Sequence, residues 1–183
     1  YLRERQLSER TDLSLSQLDA IDYLAKTIRL GCLLHDSGHS SFSHQFTQAR
    51  RIRELMSRPQ RFRDLWRGVD FNRYHPEEPG ELEHEHYSVR VAHDVLSSVD
   101  LENAGLNAVD VIGIMETTDV TPSDTFCRHA RTFWEFIAGE DAVAGTIGEQ
   151  DVPALVMGLL SSIVSGEIDA DRADYMLRDG FHS

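Results

Sequence analysis

The chain has 183 residues, of which 40% are hydrophobic and 8% aromatic, values typical of one globular domain rather than of a disordered chain. Its net charge of -13 argues against a protein that coats nucleic acid. The apolar runs are too short to cross a membrane, and from the polar start "YLRERQLSER" we expect no signal peptide. Cys32 and Cys127 are widely separated and predict free thiols in a reducing, cytoplasmic setting.

Apolar residues recur at helical spacing, and no segment shows the sustained alternation of a strand. The first predicted helix carries the apolar positions from Leu18 to Ile28, has Ser14 or Ser16 as its N-cap and runs to about Asp36. Five more helices are predicted, at 87–96, 106–116 and 126–137, in "ALVMGLLSSIV" opened by Pro153, and at 169–179. The predicted fold class is therefore all-α.

Residues 48–83 are predicted to be an insertion in this series of helices. Eight of the seventeen arginines lie between Arg50 and Arg73, together with only three acids, and the loop-like "HPEEPGELE" follows. An arginine stripe of this kind is more typical of a solvated helix face or a subunit contact than of a nucleic-acid groove. Because the chain begins at Tyr1 and stops just after a motif-rich stretch, we expect residues 1–183 to be a fragment of a single domain that continues beyond both ends.

The string "HDSGHSSFSH" places His35, Asp36, His39 and His44 directly after the apolar first helix. Imidazole nitrogens and carboxylate oxygens are ligands for divalent ions, and His39, one turn beyond His35, would face the same cavity. Gly38 allows backbone or substrate to approach closely. The alternative is a solvated turn, but solvation does not require imidazoles. The string therefore favours a metal and phosphate site.

Two further strings carry polar clusters. His84 and Glu85 in "ELEHEHYS" suit a charged helix start, where the dipole favours acids, as well as they suit a site. In "EIDADRADYMLRDGF", a helix would put on one broad face a set of side chains suited to metal, phosphate and sugar hydroxyl groups: Asp171, Arg172, Tyr175 and Asp179. A solvated face with charge pairs four residues apart explains that spacing equally well.

Taken together and in this order, the three strings resemble the HD-domain metal-dependent phosphohydrolases. The nearest branch is that of the deoxynucleoside triphosphate (dNTP) triphosphohydrolases, which includes dGTPase-like enzymes and the sterile-alpha-motif/HD-domain protein of animals. The family patterns "HDxGHxPFSH", "HE" with a serine three residues after the Glu, and "DxDRxDYxxRD" correspond to "HDSGHSSFSH", "HEHYS" and "DADRADYMLRD". The resemblance runs from about residue 18 to the C-terminus, apart from the insertion, and implies an HD-domain helical bundle.

The resemblance also implies roles for individual residues. The metal ligands would be His35, Asp36 and Asp171. The catalytic residues would be His44, as general acid toward the leaving 5′-oxygen, with His84 and Glu85. The substrate-binding residues would be His39, Arg172, Tyr175 and Asp179.

The implied reaction is hydrolysis of a dNTP to deoxynucleoside and triphosphate, with a divalent ion (Mn, Mg, Fe or Zn) as cofactor and a homo-oligomer as the assembly. Two other functions stay open: an HD-type nucleotidase or phosphodiesterase, and a catalytically weakened regulator that binds nucleotides or nucleic acid. The sequence departs from the family three times, and one departure is the span from His44 to His84, which is longer than in close relatives and carries the arginine cluster. No histidine precedes His35 to act as the fourth metal ligand, and Thr47 stands where relatives carry an acid behind the pocket histidine.

Overall fold

The computed structural model describes residues 13–39, 49–69, 74, 83–115, 120–139 and 147–165. Within these ranges the chain forms helices and no strand, which confirms the all-α prediction. The helices are α1 (Leu15–Leu34), α2 (Arg50–Met56), α3 (Pro59–Leu65), α4 (His84–Ser97), α5 (Ala108–Met115), α6 (Asp124–Ala138) and α7 (Val152–Ser165). No helix in the described ranges combines the length and the apolar character needed to cross a bilayer.

Two of the predicted helix starts agree with the structure, whereas α4 begins at His84, three residues before the predicted start at Tyr87. Ser14 is the N-cap of α1, its side chain accepting a hydrogen bond from Gln17 N at 3.3 Å, while Gln17 Oε1 accepts one from Ser14 N at 2.9 Å. This reciprocal capping box satisfies two amide groups that the first helical turn leaves unpaired. Pro153 occupies the second position of α7, where its missing N–H costs nothing.

The predicted insertion contains two helices that the sequence reading did not identify. α2 and α3 have seven residues each and lie in the arginine-rich half of the segment. The sequence did not predict these two helices, because they are rich in polar residues and too short to show a clear periodic apolar pattern. The buried Trp66, which is only 5% exposed, follows α3 directly and joins the core. The predicted helix over 169–179 lies outside the described residues.

The short helix α5 lies at the centre of the bundle, with every residue from Val109 to Met115 buried. On one side, Ile114 packs with residues of α1, α6 and α7; on the other, Val111 and Ile112 pack with residues of α4 and with Trp66. α1 packs against α5 and α6, and α4 packs against α5. The central helix therefore fixes the position of α4, which begins at His84, relative to α1, which ends just before His35.

A buried polar network ties α1, α5 and α6 together. Asp110 is fully buried in the first turn of α5. Its carboxylate accepts hydrogen bonds from Tyr23 Oη at 2.6 Å, Ser123 N at 2.8 Å and Ser123 Oγ at 2.6 Å. Ser123 is also the N-cap of α6, accepting a hydrogen bond from Phe126 N. With three donors, the buried carboxylate avoids the large cost of an unpaired charge.

Candidate metal and phosphate site

The C-terminal end of α1 presents the first two residues of the histidine string. His35 is the C-cap, and its Nδ1 lies 2.8 Å from the carbonyl oxygen of Cys32. Because a carbonyl can only accept, Nδ1 carries the proton of this hydrogen bond. The other ring nitrogen, Nε2, lies 3.5 Å from Asp36 Oδ2. A backbone carbonyl that fixes one nitrogen of a histidine is the arrangement that commonly orients the other nitrogen toward a metal.

Gly38 brings the turn after α1 against the backbone of α4. Its N–H donates to the Oγ of Ser88, 2.9 Å away, and Ser88 is 1% exposed. A Cβ at position 38 would lie 2.6 Å from the carbonyl carbon of Tyr87 and closer still to Ser88 N and His84 O. Only glycine fits this approach without displacing backbone, so the predicted close approach at Gly38 is a contact between α4 and the turn. We call it the Gly38–Ser88 contact.

Across this contact, His39 and His84 stack face to face. Their ring centroids are 3.9 Å apart and the planes differ by 18°. His39 Nε2 also lies 3.4 Å from Asp36 Oδ1. One potential ligand atom from each of Asp36, His39 and His84 lies within 4.8 Å of the other two. Two strings separated by 45 positions along the chain, from His39 to His84, thus supply one cluster.

Glu85 lies beside His84. Its Oε1 lies 3.2 Å from His84 Nε2, and its Oε2 is buried without a hydrogen-bond partner among the described residues. A carboxylate beside a ligand histidine fixes the tautomer and the direction of the ring. Donation from His84 Nε2 to Glu85 would leave Nδ1 with the lone pair that an ion requires.

The next two residues of α4 shape its first turn. His86 Nδ1 accepts a hydrogen bond from Glu83 N at 3.0 Å as part of the helix cap. Burial lowers the pKa of His86 below its usual value, and the nearby carboxylates of Glu85 and Glu83 offset this only in part. Because its Nδ1 accepts this hydrogen bond and its pKa is lowered, the His86 ring is neutral and serves the helix start rather than the ligand cluster. Burial raises the pKa of the neighbouring Tyr87, while the positive charge of Arg61 on α3 acts in the opposite direction.

The donor set of the cluster fits a divalent ion. One carboxylate and two imidazoles are ligands that zinc, manganese and iron share, and His35 stands at the edge beside Asp36. The geometry also allows a different division of roles, because His39 and His84, predicted as substrate-binding and catalytic, lie with Asp36. The remaining predicted site residues lie outside the described ranges: His44, Asp171, Arg172, Tyr175 and Asp179. Thr47 lies there as well.

The sequence analysis matched Ser88 to the serine of the family's second pattern but gave it no role in the site. Its position four residues after His84 puts both on the same face of a helix. A small polar residue one turn after a predicted catalytic residue is the signal for such a role.

A separate hollow of about 520 Å³ lies between α1, the residues before α5, and α6. Tyr23 and His129 stack within it, with ring centroids 4.6 Å apart, and both signs of charge line it. None of the predicted site residues that the structure describes lines this hollow, so its size alone does not make it the site of chemistry. Comparisons of the chain with protein-family models, with curated proteins and with solved structures found no match.

Proposed function

We propose that this chain is an HD-domain metal-dependent phosphohydrolase that converts a dNTP into a deoxynucleoside and triphosphate. The observation that carries the proposal is the meeting of Asp36 and His39 with His84, with ligand atoms within 4.8 Å of one another. The strings that contain them resemble two motifs of one family, and the third such motif, around Asp171, completes the resemblance. In the proposal the enzyme is a cytoplasmic homo-oligomer with a nucleotide substrate.

Asp36, His39 and His84 would hold the ion, with His35 and the predicted ligand Asp171 beside them. When bound, a divalent ion polarises a phosphoryl oxygen and lowers the pKa of a coordinated water toward neutrality. The carboxylate of Asp36 supplies the negative charge that attracts the cation, and it lies between two imidazoles at 3.4 and 3.5 Å. Replacing this carboxylate by an amide would remove that charge while keeping the shape of the side chain.

The other residues of the cluster orient groups and carry protons. Glu85 holds the His84 ring through its Nε2, and Cys32 O holds the His35 ring through Nδ1. Imidazole and guanidinium donors stabilise charge that grows on phosphate oxygens, a role proposed here for Arg172. His44 is proposed to protonate the leaving 5′-oxygen, because a histidine titrates near working pH. Tyr175 and Asp179 are proposed to contact the sugar.

A direct test incubates the protein with each dNTP and Mn²⁺ or Mg²⁺ and follows triphosphate by ³¹P NMR. The test variant is Asp36→Asn, in the turn after α1, and the matched control is Asp22→Asn, within α1. The two aspartate side chains are 44% and 45% exposed, and Asp22 pairs with Lys26 and is not part of the ligand cluster. We expect Asp36→Asn to reduce turnover at least 100-fold and Asp22→Asn to leave it unchanged, while both variants remain folded by circular dichroism.

The products decide between the proposal and its nearest alternative. Release of orthophosphate from nucleoside monophosphates, without cleavage of any dNTP, would make the chain an HD-type nucleotidase that uses the same cluster. Equal activity of the wild-type protein and Asp36→Asn would remove the cluster from the chemistry altogether.

A further inference from the structure

We infer that Arg61 of α3 binds the phosphate groups of the nucleotide whose hydrolysis is proposed above. The inference rests on that proposed function and adds the predicted insertion to its substrate site. Arg61 belongs to a segment that the three family patterns do not include, so the resemblance assigns it no role. The reason for the inference is the position of α3 beside the start of α4.

Two contacts hold the α3 segment against the bundle. The carbonyl oxygen of Arg67, two residues after α3, accepts a hydrogen bond from Arg90 of α4 at 3.2 Å. Leu65, the last residue of α3, packs against the buried cluster that includes Val89 of α4. Arg61 lies four positions before Leu65, and residues at this spacing share one face of a helix. The Arg61 side chain therefore starts from the side of α3 that packs on the bundle.

Arg61 lies near Tyr87, in the first turn of α4. The positive charge of Arg61 acts to lower the pKa of the Tyr87 phenol, against the rise that burial causes, so the guanidinium and the phenol are close to each other. Tyr87 follows His84 by three positions, which places both on one side of α4, and the Tyr87 backbone adjoins Gly38. The guanidinium therefore lies at the same end of α4 as the ligand cluster of Asp36, His39 and His84.

The charge of Arg61 is available to a ligand. Arg61 is exposed, and among the described residues no carboxylate forms an ion pair with it; Arg67, by contrast, pairs with Asp64 at 2.9 Å. The carboxylates of Asp36 in the cluster and of Glu85 beside it repel a polyphosphate. A cation next to the cluster offsets this repulsion, and a guanidinium also binds phosphate oxygens through paired hydrogen bonds.

A contact between Arg61 and the phosphates predicts a specific kinetic effect. A guanidinium that binds the phosphates equally well in the substrate and in the transition state lowers KM without changing kcat. Loss of its charge should therefore raise KM and leave kcat nearly constant, whereas loss of the Asp36 carboxylate is expected to lower kcat. Because inorganic triphosphate carries the same phosphate groups, its binding should depend on Arg61 in the same way.

The test compares Arg61→Gln with the matched control Arg63→Gln in the full chain. Arg63 is also exposed and lies on the same helix, but two positions further along it points in nearly the opposite direction, and it donates to Gln60 at 3.1 Å. Steady-state dNTP hydrolysis with Mg²⁺ gives kcat and KM, and isothermal titration calorimetry in the same buffer gives the Kd of inorganic triphosphate. We expect Arg61→Gln to raise KM and Kd about tenfold with kcat nearly constant, and Arg63→Gln to resemble the wild type.

The inference is overturned if the wild type does not bind triphosphate, if both substitutions change its Kd equally or not at all, or if Arg61→Gln lowers kcat with KM unchanged. The proposed function fails separately, when the wild type hydrolyses no dNTP, and calorimetry then still decides whether Arg61 binds phosphates. Circular dichroism shows whether each variant is folded. If Arg61→Gln is unfolded, Arg61→Lys takes its place, because lysine keeps the charge but loses the paired hydrogen bonds, and triphosphate binding as tight as in the wild type would again contradict the inference.

Discussion

The substitution Gly38→Ala tests how the site is assembled. The backbone at Gly38 lies outside the left-handed region, so alanine is not excluded by its own conformation. In the absence of neighbours, replacing such a glycine would stabilise the fold by about 0.4–1 kcal/mol, because alanine restricts the unfolded chain. The neighbours reverse this expectation, because the added Cβ would overlap backbone atoms of α4.

The expected loss of stability in Gly38→Ala depends on whether the overlapping atoms can move apart. The overlapping atoms belong to helical backbone, which no side-chain rotation can clear, and such overpacking costs about 1–3 kcal/mol. Separating the turn from α4 would also break the hydrogen bond from Gly38 N to Ser88 Oγ, worth about 1 kcal/mol. After the gain from alanine is subtracted, we expect a net loss of about 2 kcal/mol in the free energy of unfolding.

Urea unfolding followed by circular dichroism measures this loss, and Gly158→Ala serves as the control. Gly158 lies within α7, and a Cβ there would meet nothing within 4 Å, so this variant should be more stable by about 0.5–1 kcal/mol. Imidazole NMR signals report whether His39 still stacks on His84. If Gly38→Ala is as stable as Gly158→Ala and leaves those signals unchanged, the reasoning about the Gly38–Ser88 contact is refuted.

Three further predictions concern the buried network around Asp110 and the nearby His129. Tyr23→Phe removes one of three donors to the buried Asp110 carboxylate, and we expect a loss of about 1.5–3 kcal/mol in urea unfolding. Ser123→Ala removes a second donor and the cap of α6, so its loss should be at least as large; an equal stability of both variants and the wild type would contradict the network. Burial, together with the Arg128 charge, lowers the pKa of His129 below 6.5. The unfolded chain then binds the proton first, so stability is complete above pH 6.5 and decreases as the pH falls further; His129→Gln should reduce this slope, as measured by urea midpoints from pH 7.5 to 5.

The long amphipathic helices were predictable because their apolar spacing and caps lie within local sequence. Ser14 with Gln17 at the start of α1, and Pro153 at the start of α7, are signals that hold whatever the rest of the fold does. α2 and α3 were not predicted, because each has only seven residues, several of them charged, and so carries little apolar periodicity. The segment is attached to the core through Trp66, which lies outside both helices.

For the site, the sequence identified residue types but not distances. The prediction that His35, Asp36 and His39 act together could be made from the local sequence, because the three residues lie within about one helical turn. Bringing His84 to the same place depends on the Gly38–Ser88 contact and on the packing of α4 against α5, which no local pattern encodes. The network around Asp110 was likewise hidden, because Tyr23, Asp110 and Ser123 come from three separate helices or their ends.

The burial of every residue from Val109 to Met115 in α5 affects how the chain behaves before it is folded. The stretch "VDVIGIM" is rich in branched apolar residues and would be available for intermolecular pairing in any unfolded molecule. Asp110 is its only charge, and in the extended chain that charge opposes association, as gatekeeper residues do. We therefore expect the same carboxylate that joins three helices in the native protein to oppose aggregation of the unfolded chain, and Asp110→Asn to lower the refolding yield at high protein concentration even if the native network tolerated the amide.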